Sequence, residues 1–364
     1  MKYVVEKDKI LSNLKVLEEH CGSSKIIAVI KADGYGLGLC NMASILREGG
    51  SDFFGVARLE EAVALRDAGF ENDILLLSPA TCEASAELVC EKNIISTVDN
   101  AETARLLSLA AQKTQRKARA HFIVDTGFGR YGFSSEEAEN IIGICGENPD
   151  IDFEGIYTHF FNPFSKDSSS VDAQVRKFNS VVMQLESAGI TGLMKHVCSS
   201  SAAVKYPQYH FDAVRIGSAL LGRILDKRGL ALKEVGCLES EILSIKELPA
   251  GHNLGYGQVY ITKRKTLCAV IPAGITDGVG IEKADVSFGF KQKVFAVLKK
   301  VKRFNVPENI NVEINGKRYP VIGRVGLTDM FADITGSADI KIGDTVRIPV
   351  NPILLDSSVE KEIV

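Results

Sequence analysis

Between residue 26 and about residue 216 the chain alternates short apolar, β-branched runs with longer stretches of helical period. The runs are IIAVIK from Ile26, FFGVA from Phe53, ILLL from Ile74, IIST around Ile95, HFIV from His121, FEGIYTHF from Phe153, MKHVC from Met194 and AVRIG from Ala213. Short continuous apolar runs suit strands that are buried on both faces. The stretch RLEEAVALRDAG puts Leu59, Ala62, Val63 and Leu65 on one helical face, and Gly69 stops it. Eight strand–helix units in about 200 residues predict a (β/α)8 barrel of the TIM type. A doubly wound sheet is the alternative, because local periodicity does not record strand order.

After Gly229 the rhythm changes. KTLCAVIP, KVFAVLKKVKRF, INVEINGKRYPVIGRVG and TVRIPV are β-rich and separated by Gly and Asn turns. Asn315-Gly316 between two such runs is a strong hairpin signal. The expected division is residues 1–229 as the barrel and residues 230–364 as an all-β C-terminal domain.

Bulk properties narrow the function. At 364 residues the chain exceeds one ordinary core. A net charge of −3 gives no reason to expect nucleic acid or an anionic membrane as partner. No apolar run reaches the roughly 18–20 residues a bilayer span needs, and the N-terminus does not read as a signal peptide. The eight cysteines include no CxxC pair and no Cys/His cluster at metal-ligand spacing, so neither disulfides nor zinc are expected. A reducing, cytoplasmic setting is the expectation.

Three features invite chemistry. Lys31 closes the first run and precedes Ala-Asp-Gly-Tyr-Gly-Leu-Gly. Barrel enzymes place their chemistry where strands end, and a lysine there can form a Schiff base if its amine is deprotonated; the alternative is a solvated lysine opening a loop. VDTGFGRYGF, from Val124 to Phe133, ends a strand in a Gly-rich turn that presents Arg130, a residue suited to a carboxylate or phosphate, or else a surface arginine on a tight turn. Ser199-Ser200-Ser201 and Arg215-Ile216-Gly217-Ser218 follow the last two strands, where barrels often bind phosphate; a serine cluster also caps helices. His159 closes the sixth strand as either a relay or a buried histidine.

AVIKADGYGLG resembles the cofactor-lysine motif of the alanine racemases, and the resemblance continues in family order. It runs through FFGVARLEEAVALRDAG, VDTGFGRYGF, GIYTHF, HVCSSSAAV, VRIGSALLG, GYGQVY, GITDG and GRVGLTDMFADI. The resemblance implies a pyridoxal 5'-phosphate enzyme that interconverts L- and D-alanine with two bases. Lys31 would hold the cofactor and serve one face of the substrate. Tyr256 would serve the other from a second subunit, making the active unit a homodimer. A phenol needs tuning to act as a base near neutrality, and His159 and Arg215 would stand behind it. Tyr35, Ser200, Gly217 and Ser218 would cradle the phosphate, and Arg215 would face the pyridine nitrogen. Arg130 and the backbone near Leu327 would receive the substrate carboxylate.

Several positions depart from the pattern. Ile123 stands where the family often has a carbamylated lysine supporting the carboxylate-binding arginine. GYADG reads GITDG, Leu327-Thr328 replaces Met-Asp, and Leu221 replaces a tyrosine. The C-terminal segment NPILLDSSVEKEIV does not match the family's usual ending. These changes leave room for a racemase of serine or a larger amino acid. A non-catalytic pyridoxal-phosphate-binding protein is a further reading, against which Tyr256 and the β-domain weigh. A decarboxylase is disfavoured because those enzymes generally set an acid, not an arginine, against the pyridine nitrogen.

Overall fold

The computed structural model describes residues 1–281 and 310–364, so the run KVFAVLKKVKRF lies outside the described residues. Two compact units emerge: Lys7–Val235, and Met1–Glu6 together with Gly236–Val364. The division falls six residues beyond the one drawn at residue 229, and the first six residues join the C-terminal unit.

The chain opens with β1 (Lys2–Val5) and α1 (Lys7–Cys21). Then come β2 (Lys25–Val29), α2 (Lys31–Gly36), α3 (Leu39–Glu48), β3 (Phe53–Val56), α4 (Leu59–Asp67), β4 (Asp73–Pro79) and α5 (Glu83–Glu91). They are followed by β5 (Ile95–Val98), α6 (Ala101–Thr114), β6 (Ala118–Asp125), β7 (Phe133–Ser134), α7 (Ala138–Glu147) and β8 (Ile151–Tyr157). The long helix α8 (Ser169–Ser187), β9 (Met194–His196), α9 (Ser200–Lys205) and β10 (Ala213–Ile216) complete the first unit.

The parallel sheet runs β10-β2-β3-β4-β5-β6-β8-β9, with β7 attached to β6. The Arg215 amide donates to the Cys198 carbonyl at 2.9 Å and Ser199 bridges to Arg215 in parallel, which ties β9 to β10 and closes the ring. The eight runs read from the sequence are these eight strands, and the fold is the TIM-type barrel, not the doubly wound alternative. Ile27, Phe53, Leu75, Ile95 and Ala213, from five adjacent strands, pack into one buried apolar cluster. Outer helices are stopped and started by local chemistry; the Asn100 side chain, for example, accepts the Thr103 amide at 2.9 Å and caps α6.

The second unit contains β1 with β11 (Cys237–Glu241), β12 (Ser244–Leu248), β13 (Thr266–Ile271), β14 (Asn311–Ile314), β15 (Lys317–Ile322), β16 (Met330–Asp333), β17 (Thr345–Ile348) and β18 (Lys361–Ile363). Among the described residues they form one sheet in the order β12-β13-β16-β15-β14-β17-β11-β1-β18. The pairs are antiparallel except β1 with β18. Asn315 and Gly316 both take positive φ, 49° and 75°, and join β14 to β15 as the hairpin signal predicts.

Candidate active site

The candidate residues of the barrel unit meet at the C-terminal ends of its strands. Lys31 starts the turn just beyond β2, Arg130 sits in the loop after β6, and His159 lies two residues past β8. Ser200 opens α9 after β9, Arg215 lies within β10, and Gly217 and Ser218 follow it.

The lysine is presented by unusual backbone. Ala32, Asp33, Gly34 and Tyr35 all take left-handed φ/ψ values, with φ of 55°, 53°, 62° and 57°. Each such L-residue costs about 1–2 kcal/mol relative to a right-handed turn, so the surroundings must hold the turn in place. The Asp33 carboxylate caps α3 by accepting the Leu39 amide at 2.8 Å, and the Gly34 amide donates to the Ile30 carbonyl at 2.9 Å. This reversal swings the Tyr35 ring over Gly217, where a Cβ would stand 2.2 Å from the tyrosine oxygen.

Ser200 completes that corner. Its Oγ accepts the Gly217 amide at 2.9 Å and the Ala219 amide at 3.3 Å, so its own proton remains to donate outward. A phenol and a serine hydroxyl beside a glycine that must lack a side chain make a donor set that fits a phosphate. Burial pushes the Tyr35 phenol up to about 12, which keeps it a donor.

Arg215 is the hub of the site. Nη1 donates to His196 Nδ1 at 2.8 Å and to the His196 carbonyl at 2.6 Å. Nη2 donates to the Thr158 carbonyl at 2.7 Å and reaches His159 Nδ1 at 3.4 Å. The guanidinium lies over the Tyr157 ring, 4.9 Å from its centre. Burial pushes it down to about 10, and it remains a cation at neutral pH.

A guanidinium only donates, so both Nδ1 atoms act as acceptors and both histidines carry their proton on Nε2. His196 Nε2 then donates to His121 Nδ1, 2.9 Å away. Gly155 allows this approach, since a Cβ there would meet the His121 ring at 2.6 Å. Burial, then the charges of Arg215, Arg130 and Lys31, hold His159 down to about 3; burial and the charges of Arg119 and Arg215 hold His121 likewise down to about 3. Both are neutral imidazoles under ordinary conditions. Of this network the sequence reading singles out His159 and Arg215 but not His121, Tyr157 or His196, which read as strand residues; their only signal is a polar ring within an apolar run, in HFIV, FEGIYTHF and MKHVC.

Arg130 is exposed, with its guanidinium 4.8 Å from the Phe128 ring centre and 4.7 Å from that of Tyr131. Phe128 also meets His159 edge-on, at 5.0 Å between ring centres. Ile123 is buried on β6.

In the other unit, Tyr256 opens a short 3-10 turn (Tyr256–Gln258) and its side chain is 83% exposed. Leu327 is 68% exposed, and its carbonyl accepts the Thr276 amide at 3.0 Å and the Thr276 hydroxyl at 2.7 Å. Val259, Ile261 and Ile275 are further exposed apolar residues of this unit.

The N-terminal domain profile of alanine racemase matches residues 5–224, and the C-terminal domain profile matches residues 235–356. The chain belongs to the alanine racemase family. An alanine racemase of Desulfosudis oleivorans is 30% identical over 94% of this chain and 86% of its own length, and one of Desulforamulus reducens is 32% identical over 94% and 88%. Among solved structures, the alanine racemase of Clostridium difficile superposes with a TM-score of 0.84 at 26% identity, covering 100% of this chain and 95% of the other. That of E. faecalis gives 0.79 at 25%, covering 100% and 98%. Alanine racemases are isomerases, and the family is pyridoxal-phosphate-dependent.

Proposed function

We propose that this protein is a pyridoxal-phosphate-dependent alanine racemase that works with two bases, Lys31 and Tyr256, as a cytoplasmic homodimer. The observation that carries the reading is the convergence on β10: Arg215 bonded toward His159 at 3.4 Å, next to a Gly217 that only a bare backbone can occupy beneath Tyr35. Bound pyridoxal phosphate would supply the electron sink that acidifies the substrate Cα–H.

The chain's residues would do the rest. Tyr35, the Ser200 hydroxyl, Gly217 and Ser218 would hold the phosphate, with Lys31 as the covalent anchor. Arg215, a fixed cation, would lie against the pyridine nitrogen and keep it unprotonated, which limits the sink to what a racemase needs. Arg130 and the backbone near Leu327 would orient the substrate carboxylate. Lys31 Nζ would move the proton on one face of Cα. Tyr256 Oη, supplied by the partner subunit, would move it on the other. His159, with its proton on Nε2, would donate to the tyrosine oxygen and favour the phenolate, which is the base form. No helix among the described residues is long and apolar enough to cross a membrane.

The test is incubation of the purified enzyme and pyridoxal phosphate with a panel of single L-amino acids, followed by chiral chromatography. Alanine is expected to be inverted fastest. Faster inversion of serine or a larger amino acid would reassign the substrate, and inversion of none would leave a cofactor-binding protein.

A further inference from the structure

Arg130 projects from a loop whose own carboxylate is already committed. Asp125 Oδ1 accepts the amides of Gly127, Phe128 and Gly129 at 2.8, 2.8 and 3.1 Å. That shapes the loop and leaves the guanidinium without an ion pair recorded among the described residues. Ile123, on the adjoining strand, offers neither charge nor hydrogen bond. The guanidinium instead lies against two aromatic rings, 4.8 Å from the centre of Phe128 and 4.7 Å from that of Tyr131.

Neither ring hangs free. The Tyr131 hydroxyl donates to the Leu77 carbonyl at 2.5 Å, which reaches from the loop after β6 past β5 to β4. Phe128 is pinned edge-on against His159. The two anchors differ in kind, one a hydrogen bond to strand backbone and the other a ring contact within the site, and each restrains one of the rings that the guanidinium lies against.

We infer that Phe128 and Tyr131 are positioning residues, an aromatic clamp that holds Arg130 ready for the substrate carboxylate. The inference rests on the carboxylate role proposed above for Arg130. Its physical content is the choice of support. A guanidinium paired with an anion shares its charge with that anion, whereas one held against aromatic rings keeps its charge and its N–H groups for the substrate. Pre-ordering a long side chain saves its immobilisation when substrate arrives, worth about two- to tenfold in affinity.

The experiment compares Tyr131→Leu, Phe128→Leu, Tyr131→Phe and Arg130→Ala as holoenzymes, measuring KM and kcat for L-alanine, cofactor affinity and thermal melting. Each leucine variant is expected to raise KM by about two- to tenfold, with kcat changed less and cofactor affinity unchanged. Tyr131→Phe keeps the ring and loses only the tie to Leu77, so its KM should fall between the parent and Tyr131→Leu. Phe128 is 40% exposed, so Phe128→Leu remains a usable probe should Tyr131→Leu fold poorly. A raised KM in Arg130→Ala with the parent KM in both leucine variants overturns the clamp alone. An unchanged KM in Arg130→Ala removes the carboxylate role, and the clamp with it.

Discussion

At the scale of single residues, the buried histidines make a pH signature. His121 and His159 are held down to about 3 and His196 well below its ordinary value, in each case by burial first. Unfolding returns all three toward about 6.5. Below that pH the unfolded chain binds protons that the folded chain refuses, so stability falls as pH drops from about 6.5 toward 3. Each histidine contributes up to about 1.4 kcal/mol per pH unit to that slope. Thermal melts between pH 7.5 and 5 should show the decline, and His121→Gln should make it shallower; an unchanged slope in that variant would mean His121 is protonated in the fold.

Gly217 offers a second residue-scale check. A Cβ there would stand 2.2 Å from the Tyr35 oxygen, so Gly217→Ala must push the phenol off the cradle. Pyridoxal-phosphate affinity, read by absorbance titration, is expected to drop by about tenfold or more, the loss of a hydrogen bond to a charged group. Tyr35 was singled out in the sequence only through the resemblance. Periodicity reads ADGYGLG as a loop and gives no hint that four left-handed residues turn the ring back.

At the scale of elements, that left-handed turn separates two substitutions of similar size. Gly34→Ala adds a Cβ 2.8 Å from Met42 Cγ and 3.1 Å from its Cβ, on top of the left-handed penalty, and should cost about 2 kcal/mol or more. Ala32→Gly removes a left-handed Cβ and adds chain entropy of similar size, so its melting temperature should stay within about 2 °C of the parent. A large destabilisation by Ala32→Gly would mean that the Ala32 methyl is a packing element.

The barrel strands were legible as elements because apolar runs of β-branched residues alternate with helical spacing. Closure was not, since the pairing of β10 with β2, Ala213–Ile216 against Lys25–Ala28, joins the two ends of the barrel segment, which share no local pattern. Nor did periodicity place β1, whose four residues lean toward the barrel by sequence position. They pair instead with Cys237–Glu241 and Lys361–Ile363, more than two hundred residues away.

At the scale of the whole molecule, Lys31 and Tyr256 lie in different compact units, and the proposal draws the tyrosine from a partner subunit. Lys31→Ala and Tyr256→Phe should each be nearly inactive as pure proteins. Mixed under conditions that exchange subunits, they should regain activity, because one site of each heterodimer combines intact Lys31 with intact Tyr256. Absence of rescue with exchange verified would place both bases in one chain.

The most direct measurement of the central claim follows Cα–H exchange in D2O, one enantiomer at a time, with Tyr256→Phe. A positioned acid–base group is typically worth about 10²- to 10⁴-fold, so racemisation should fall by that order while the cofactor stays bound. Exchange of the D-enantiomer should persist through Lys31 while exchange of the L-enantiomer is lost. Equal loss from both enantiomers, with cofactor retained, would contradict the two-base account.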